Sequence, residues 1–535
     1  MRKLLRLANV RIVSQLLFFV LFLLSVWASW TTRLQGYPVS RFLEIDLLVA
    51  LSSVLSTGYL YRFLTWSVSI LFLTLLFGRV FCGWICPFGT LHQFVGWLFN
   101  VRSTEERQEQ NRYRSIQFLK YSILTVLLIL SALGAMQVGL LDPIALFYRF
   151  MAACFAAIWD LSAGKLLSLP SNGGTFAYFT TAVQFAPGVA RRIFVGSFWI
   201  GLTFFLLVSL NLWYSRFFCR VLCPLGALLG VLSRFSLFRI DRDADRCTAC
   251  NLCLNRCEGA ASPATKLCLS ECLSCMNCMD DCPEDALRFA LPIVKSGPVD
   301  TAPDFNRRHL IYAGVAGLLG FPFLRNNGKA TDENFSPDMI RPPGSLPEME
   351  FLKRCVKCGQ CLRICPTNVL QPAGLGEGGI ETLWTPVANF NVGHCQLKCT
   401  LCSQVCPTGA IENISVAEKL GMGSHSEKGP VRLGTAFIDR SRCLPWANRI
   451  PCVVCEEVCP VAPKAIQTFD EETKNVFGKL VVLNRPYIVP DLCIGCGICQ
   501  HECPVADRPA VYVNAIGETR SQERRLLLKY RTETN

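Results

Sequence analysis

Residues 493–504 read Cys493-Ile494-Gly495-Cys496-Gly497-Ile498-Cys499-Gln500-His501-Glu502-Cys503-Pro504. In Cys-x2-Cys-x2-Cys-x3-Cys-Pro, three closely spaced thiolates wrap one face of an iron-sulfur cubane. The fourth, before proline, reaches the other cluster of a pair. The spacing is therefore a ligand pattern, and it names its own partner motif, a second copy elsewhere in the chain.

Working back from this stretch, five more groups appear. Cys443, Cys452, Cys455 and Cys459 precede Pro460, Cys395, Cys399, Cys402 and Cys406 precede Pro407, and Cys355, Cys358, Cys361 and Cys365 precede Pro366. Cys272, Cys275, Cys278 and Cys282 precede Pro283, while Cys247, Cys250, Cys253 and Cys257 are followed by Glu258 in place of proline. Numbered in chain order from Cys247, the fourth group, at Cys395, opens with three spacers and the fifth, at Cys443, with eight, departures that alter a loop more readily than a ligand set. Zinc ribbons use paired Cys-x2-Cys and not triplets closed by Cys-Pro, and covalent haem requires Cys-x2-Cys-His, which is absent. A disulfide scaffold would be a short secreted chain with scattered spacings, unlike this repeated one. Six 4Fe-4S clusters are expected, in which Cys257 serves the second group and Cys282 the first. By analogy with four-cluster ferredoxin subunits, group three is expected to pair with six and four with five.

The chain has 535 residues, 51% of them hydrophobic, and 30 cysteines. The apolar excess lies before residue 240 and the cysteines mostly after it, so two solvents are implied. The net charge of +13 counts cysteine as neutral. Each oxidised 4Fe-4S centre with four thiolates carries about −2, so six supply about −12. Much of the basic excess then balances clusters, and nucleic acid is a poor candidate partner.

Apolar runs at Val10 to Trp30, Leu64 to Phe81, Ile116 to Leu140 and Ile193 to Trp213 predict four membrane-spanning helices. Arg2, Lys3, Arg6 and Arg11, then Arg102, Arg107, Arg112, Arg114 and Lys120, then Arg216, Arg220, Arg234, Arg239 and Arg242 place both ends of this half on the cytoplasmic side. The first run is long for a cleaved signal peptide and reads as a retained helix. Phe42 to Tyr61 and Ile144 to Leu161 are read as outer-face amphipathic or re-entrant segments, with extra spans as the alternative.

Spans two and four end in one phrase, Phe81-Cys82-Gly83-Trp84-Ile85-Cys86-Pro87 and Phe218-Cys219-Arg220-Val221-Leu222-Cys223-Pro224. On a helix, residues four apart share a face, so Cys82, Cys86, Cys219 and Cys223 are expected to present four soft sulfurs at the inner membrane edge. They suit a cluster, a copper(I) or zinc ion, or a thiol-disulfide couple. Cys154 and Cys268 are left over, the first as packing and the second as a spare thiol or substitute ligand. His92, just past Cys86-Pro87, is a candidate proton acceptor for a quinol.

Between groups two and three stands Asp304-Phe305-Asn306-Arg307-Arg308-His309-Leu310, followed by a short apolar core to Gly320. It looks like an internal twin-arginine export signal, which fits physically because a cluster is inserted into folded protein and its domain must cross folded. Ser336-Pro337 and Arg341-Pro342-Pro343-Gly344 read as an extended linker.

Residues 1 to about 290 resemble the polytopic quinol dehydrogenase membrane subunit of periplasmic nitrate reductase systems, the NapH type, through both Cys-x3-Cys-Pro phrases and the two groups after them. Residues from about 304 resemble its exported ferredoxin partner, the NapG and MauM type, through Arg307-Arg308 and the four later groups. The resemblance implies a fusion with a polytopic α-helical membrane domain followed by α+β bacterial-ferredoxin-like iron-sulfur domains. The expected divisions are 1–240 membrane domain, 241–292 two-cluster ferredoxin, 304–325 signal or anchor helix, 326–350 linker, 351–516 four-cluster domain and 517–535 charged tail. It further implies a multi-pass protein of the bacterial inner membrane with a periplasmic C-terminal domain, in contact with lipid and the quinone pool. As an electron-transfer subunit and not a stand-alone enzyme, it would pass quinol electrons to a partner reductase or cytochrome. The alternative is a maturation factor that reduces or handles a metal such as copper.

Overall fold

The computed structural model describes residues 7–29, 39–99, 103–159, 162, 193–264, 267–291, 299–300, 307–325, 339–474 and 480–520. Arg2, Lys3, Arg6, Trp30, Arg102, Asp304 to Asn306, Ser336-Pro337 and the tail from 521 lie outside the described residues.

Leu7–Ala28 carries a single charge, Arg11, and forms one helix, α1. Its buried positions Ala8, Arg11, Gln15, Phe22 and Val26 are three, four or seven apart and so form one stripe, leaving the other flank apolar and exposed. Further helices of this half include α2 (Pro87–Phe99), α3 (Leu119–Ala132), α4 (Pro143–Phe150), α5 (Ser197–Ser209) and α6 (Pro224–Ser233). Among the described residues, two helical runs, Leu7–Ala28 and Ser115–Ala132, are long and apolar enough to cross a membrane by length and composition. The other two expected spans fold as shorter helical runs, Arg62–Phe77 and Ser197–Leu212.

The two polar-tipped stretches are mostly buried over residues 42–53 and 144–154, while Leu55, Leu60, Ile158 and Trp159 further along them are exposed. Asp46 caps the helix Leu47–Thr57 by accepting from the N–H groups of Leu48 and Val49, and Asp142 caps α4 through those of Ile144 and Ala145. Those acids end helices whose apolar bodies are buried, Leu48 and Ile144 completely.

The export-like segment forms α7, Arg307–Arg325, which packs along α3. Gly317 permits the approach, since a Cβ there would meet Ile129 at 3.1 Å. At one end His309 stacks on Phe118 at 4.2 Å, and at the other Arg325 pairs with Glu381 at 3.4 Å and donates to the carbonyl of Gly134.

Among the described residues every sheet is two-stranded. Arg239–Arg242 runs antiparallel to Leu287–Ala290 and closes the first cysteine-rich unit. In the second unit Leu370–Pro372 pairs with Pro386–Ala388, Ile466–Lys474 with Leu480–Ile488, and Thr435–Ile438 with Val511–Asn514. These units sit at opposite ends of α1. At its start, the Ala8 N–H donates to Asp280 and Arg11 pairs with Glu258, both of the first unit. At its end, Ala28 packs on the core that holds Cys365 and Cys402 of the second.

Candidate metal centres

In each regular group the residues flanking the second cysteine have positive φ: Ala249 and Asn251, Ser274 and Met276, Lys357 and Gly359, Gly495 and Gly497. This left-handed pair folds the backbone so that N–H groups aim at sulfur. Those of Lys357 and Gln360 face the thiols of Cys355 and Cys358, and those of Ser274 and Asn277 face Cys272 and Cys275. The closing cysteines also accept from backbone, Cys282 from Ala286 at 3.3 Å and Cys503 from Ala510 at 3.4 Å. Such donors stabilise thiolate and tune a bound metal.

The cysteines gather in sets of four drawn from two groups each. Cys247, Cys250, Cys253 and Cys282 line one cavity, and Cys257 joins Cys272, Cys275 and Cys278, the expected exchange. Cys406 closes the set of Cys355, Cys358 and Cys361, and Cys365 closes that of Cys395, Cys399 and Cys402. Cys459 joins Cys493, Cys496 and Cys499, and Cys503 joins Cys443, Cys452 and Cys455.

Group three therefore pairs with four and five with six, which corrects the pairing expected by analogy. The reason is local. The strand pair 370–372 with 386–388 folds the chain between groups three and four back on itself, and the hairpin 466–488 does the same between five and six. The two pairs abut where the Cys395 N–H donates to the Cys496 carbonyl at 2.8 Å. Burial, then Cys443, Cys452 and Cys503, push the Cys455 thiol up to about 12. Four sulfurs that repel one another as thiolates fit a cationic iron core, which ionises them together.

The two Cys-x3-Cys-Pro phrases are built alike. A widened turn covers Phe81–Ile85 and another Phe218–Leu222, after which Cys86 and Cys223 are extended, as residues before proline prefer. Proline then starts α2 and α6, and the Gly89 and Gly226 N–H groups donate to Cys86 and Cys223 Sγ at 3.4 and 3.2 Å. The expected single helical face is thus replaced by a helix break, but the four sulfurs do converge: Cys86 feels Cys82 and Cys219, and Cys223 feels Cys219, Cys82 and Cys86.

Cations surround them. Arg216 donates to the Cys82 carbonyl at 3.3 Å and pairs with Glu258 at 2.7 Å, Arg220 donates to the Cys257 and Glu258 carbonyls, and Arg79 donates to the Ser270 carbonyl at 2.8 Å. Glu258 also pairs with Arg11 at 2.7 Å. Glu271 bonds Lys120, Gln117 and Tyr121. Burial opposes ionisation of Glu258, yet Arg216 and Arg11 hold it down to about 2. Burial likewise opposes Glu271, and Lys120 and Arg79 hold it below its ordinary value. These two carboxylates clamp the first unit to the helices, a role the sequence reading missed. The available signal was position: Glu258 follows Cys257 where proline was expected, and Glu271 precedes Cys272.

His92 is completely buried and enclosed by Phe88 and Phe218. The aromatic rings close its ring off from the protein surface. Cys154 packs on Gly201, and Cys268 lies in the short strand Leu267–Cys268, where its carbonyl accepts from the Cys272 N–H at 3.2 Å.

The 4Fe-4S dicluster domain family matches residues 354–410 and 425–506, with one match over each paired set of groups. The 4Fe-4S binding domain family matches 59–104 and 195–242, which hold the two Cys-x3-Cys-Pro phrases. The methylamine utilization ferredoxin-type protein MauM of Methylorubrum extorquens is 32% identical over 208 residues, 37% of this chain and 84% of MauM. The ferredoxin-type protein NapG of Escherichia coli is 33% identical over 179 residues, 32% of this chain and 69% of NapG.

The chain belongs to the MauM and NapG family of ferredoxin-type proteins.

It is thus an iron-sulfur electron-transfer protein with 4Fe-4S domains. The putative electron transport protein YccM of Escherichia coli is 29% identical over 232 residues, and the chain spans about half of it, 54%. No solved structure matches the chain.

Proposed function

We propose that this protein is a membrane-embedded relay that takes electrons from quinol and passes them through six 4Fe-4S clusters, one in each described set, to a separate reductase or cytochrome. The observation that carries the reading is the position of the two cysteine-rich units at opposite ends of α1. α7 supports it by running between the same two levels, from Phe118 to Gly134, so the chain passes from the first unit to the second alongside α3. Leu17, Trp27, Phe72, Trp97, Trp199 and Phe205 are more than half exposed, apolar surface of the kind a bilayer would cover. On this reading the helical half is a polytopic membrane domain ending near residue 240, the first unit is cytoplasmic, and α7 is an anchor that leaves the second unit in the periplasm.

The quinol claim is tested by adding a reduced quinol analogue to membranes that contain the protein. Bleaching of the cluster absorbance and appearance of reduced-cluster EPR signals are expected. No reduction, together with tight copper(I) binding at Cys82, Cys86, Cys219 and Cys223, would replace the relay with metal handling.

A further inference from the structure

We infer that Cys82, Cys86, Cys219 and Cys223 together hold one iron-sulfur centre, shared by both repeats, which is the stepping point for electrons between the two ferredoxin-type units. The inference rests on the relay reading above and adds the centre that links its two ferredoxin-type units.

The site has the makings of a single centre. Each repeat supplies two thiols, one from a widened turn and one capping a helix, and neither pair alone completes a four-sulfur set. Arg79 and Arg216 each reach the opposite repeat, the first beside Gly226 and the second to the Cys82 carbonyl, so the two halves are cross-braced around the sulfurs. Thiolate ligation by four cysteines suits a two-iron or four-iron cluster.

Its position is the second observation. Trp84, inside the first repeat, donates to the Ser274 carbonyl at 2.9 Å and packs on the core containing Cys257 and Cys278. On the other side, one buried apolar cluster contains Cys86, Cys223 and Cys358. Within it the rings run Phe88 to Phe147 at 5.9 Å, Phe147 to Phe22 at 4.7 Å and Phe22 to Tyr148 at 4.7 Å. Tyr148 feels Cys358, and the neighbouring Arg149 donates to the Lys357 carbonyl at 3.1 Å.

Helix α1 measures the intervals. Arg11 stands at the level of Glu258, Gln15 donates to the Gly83 carbonyl, and Ser25 meets Tyr148. At 1.5 Å per residue, Arg11 and Ser25 are roughly 21 Å apart, and Gln15 divides that into roughly 6 and 15 Å. Electron tunnelling decays exponentially with distance, so a centre at the Gln15 level replaces one long hop with two shorter ones. Each hop moves one electron from a ferrous centre to a ferric one, and no bond forms or breaks.

The test uses full-length protein in sealed phosphatidylcholine and phosphatidylglycerol vesicles with ferricyanide trapped inside and dithionite added outside. Dithionite is oxidised to sulfite, and ferricyanide is reduced to ferrocyanide. Wild type is expected to bleach the trapped ferricyanide at least tenfold faster than protein-free vesicles. In Cys82→Ser/Cys219→Ser that rate should fall to the protein-free level while the ferredoxin-type EPR signals persist. Fully loaded wild type should also contain more iron than the about 24 atoms of six four-iron centres, a readout that needs no variant to fold. An unchanged bleaching rate in the double variant overturns the inference, as does iron that stops at six centres, or copper(I) in place of the extra iron. Wild type whose clusters reduce but do not pass electrons inward overturns it too, leaving the relay reading intact. Wild type without any iron-sulfur signal sinks the relay reading itself.

Discussion

Glu258→Gln removes one charge and almost no volume. Glu258 faces Arg11 and Arg216, each at 2.7 Å, and all three side chains are largely buried. Deleting one partner of a buried ion pair costs about 3–5 kcal/mol because the remaining charge is stranded. The acid–base equilibrium leads to the same figure: a carboxyl held at about 2 against an ordinary 4.5 is stabilised by about 3 kcal/mol. The cost falls on the contact between the first ferredoxin-type unit and the helices. Hydrogen-exchange mass spectrometry in detergent should therefore show peptides from 247–282 opening on the order of a hundredfold faster in the variant. Arg256→Ala supplies the contrast, since its pair with Asp281 is at the surface, where such bridges are worth about 0–1 kcal/mol. Exchange in Glu258→Gln within twofold of wild type would refute the clamp. The sign of the acid response follows from the lowered folded value: the contribution is whole at neutral pH and is lost as pH falls from 4.5 towards about 2.

The pairing of groups predicts that Cys365→Ser and Cys399→Ser remove the same EPR component, whereas Cys365→Ser and Cys358→Ser remove different ones; one shared component for the latter pair would contradict the exchange of ligands. Gly497→Ala introduces a Cβ against the Phe390 ring at a left-handed position, and should lower iron incorporation at the Cys493 set by the loss of one centre's iron, measured by EPR against wild type. Arg341→Met leaves Glu348, buried and paired to it at 2.5 Å, with Arg520 alone; a loss of about 3–5 kcal/mol should appear as a lower melting temperature of the second unit. Phe205→Arg places a charge on the exposed apolar surface, which at the centre of a bilayer costs about 2.5–3.5 kcal/mol; reduced membrane insertion is expected, and unchanged yield in the membrane fraction would count against the membrane reading.

The sequence by itself determined the metal chemistry, because a ligand triplet is a local object. Cys-x2-Cys-x2-Cys leaves its backbone few conformations, and the alternating left-handed residues at 249 and 251, 274 and 276, 357 and 359, 495 and 497 are the form it takes. The exchange of Cys257 and Cys282 was legible for the same reason, as the two cysteines stand only 25 residues apart. Which fourth cysteine closes each later set was not legible, because it depends on strand pairs whose register no cysteine spacing encodes. His92 looked interfacial from its place after Cys86-Pro87, and the packing of Phe88 and Phe218 buried it. The four thiols at 82, 86, 219 and 223 could be paired on paper, but their place on the way to Cys358 could not. It exists only because α1, α2 and α4 pack their aromatic rings together. Spacing is written along the chain, and separation in space belongs to the fold.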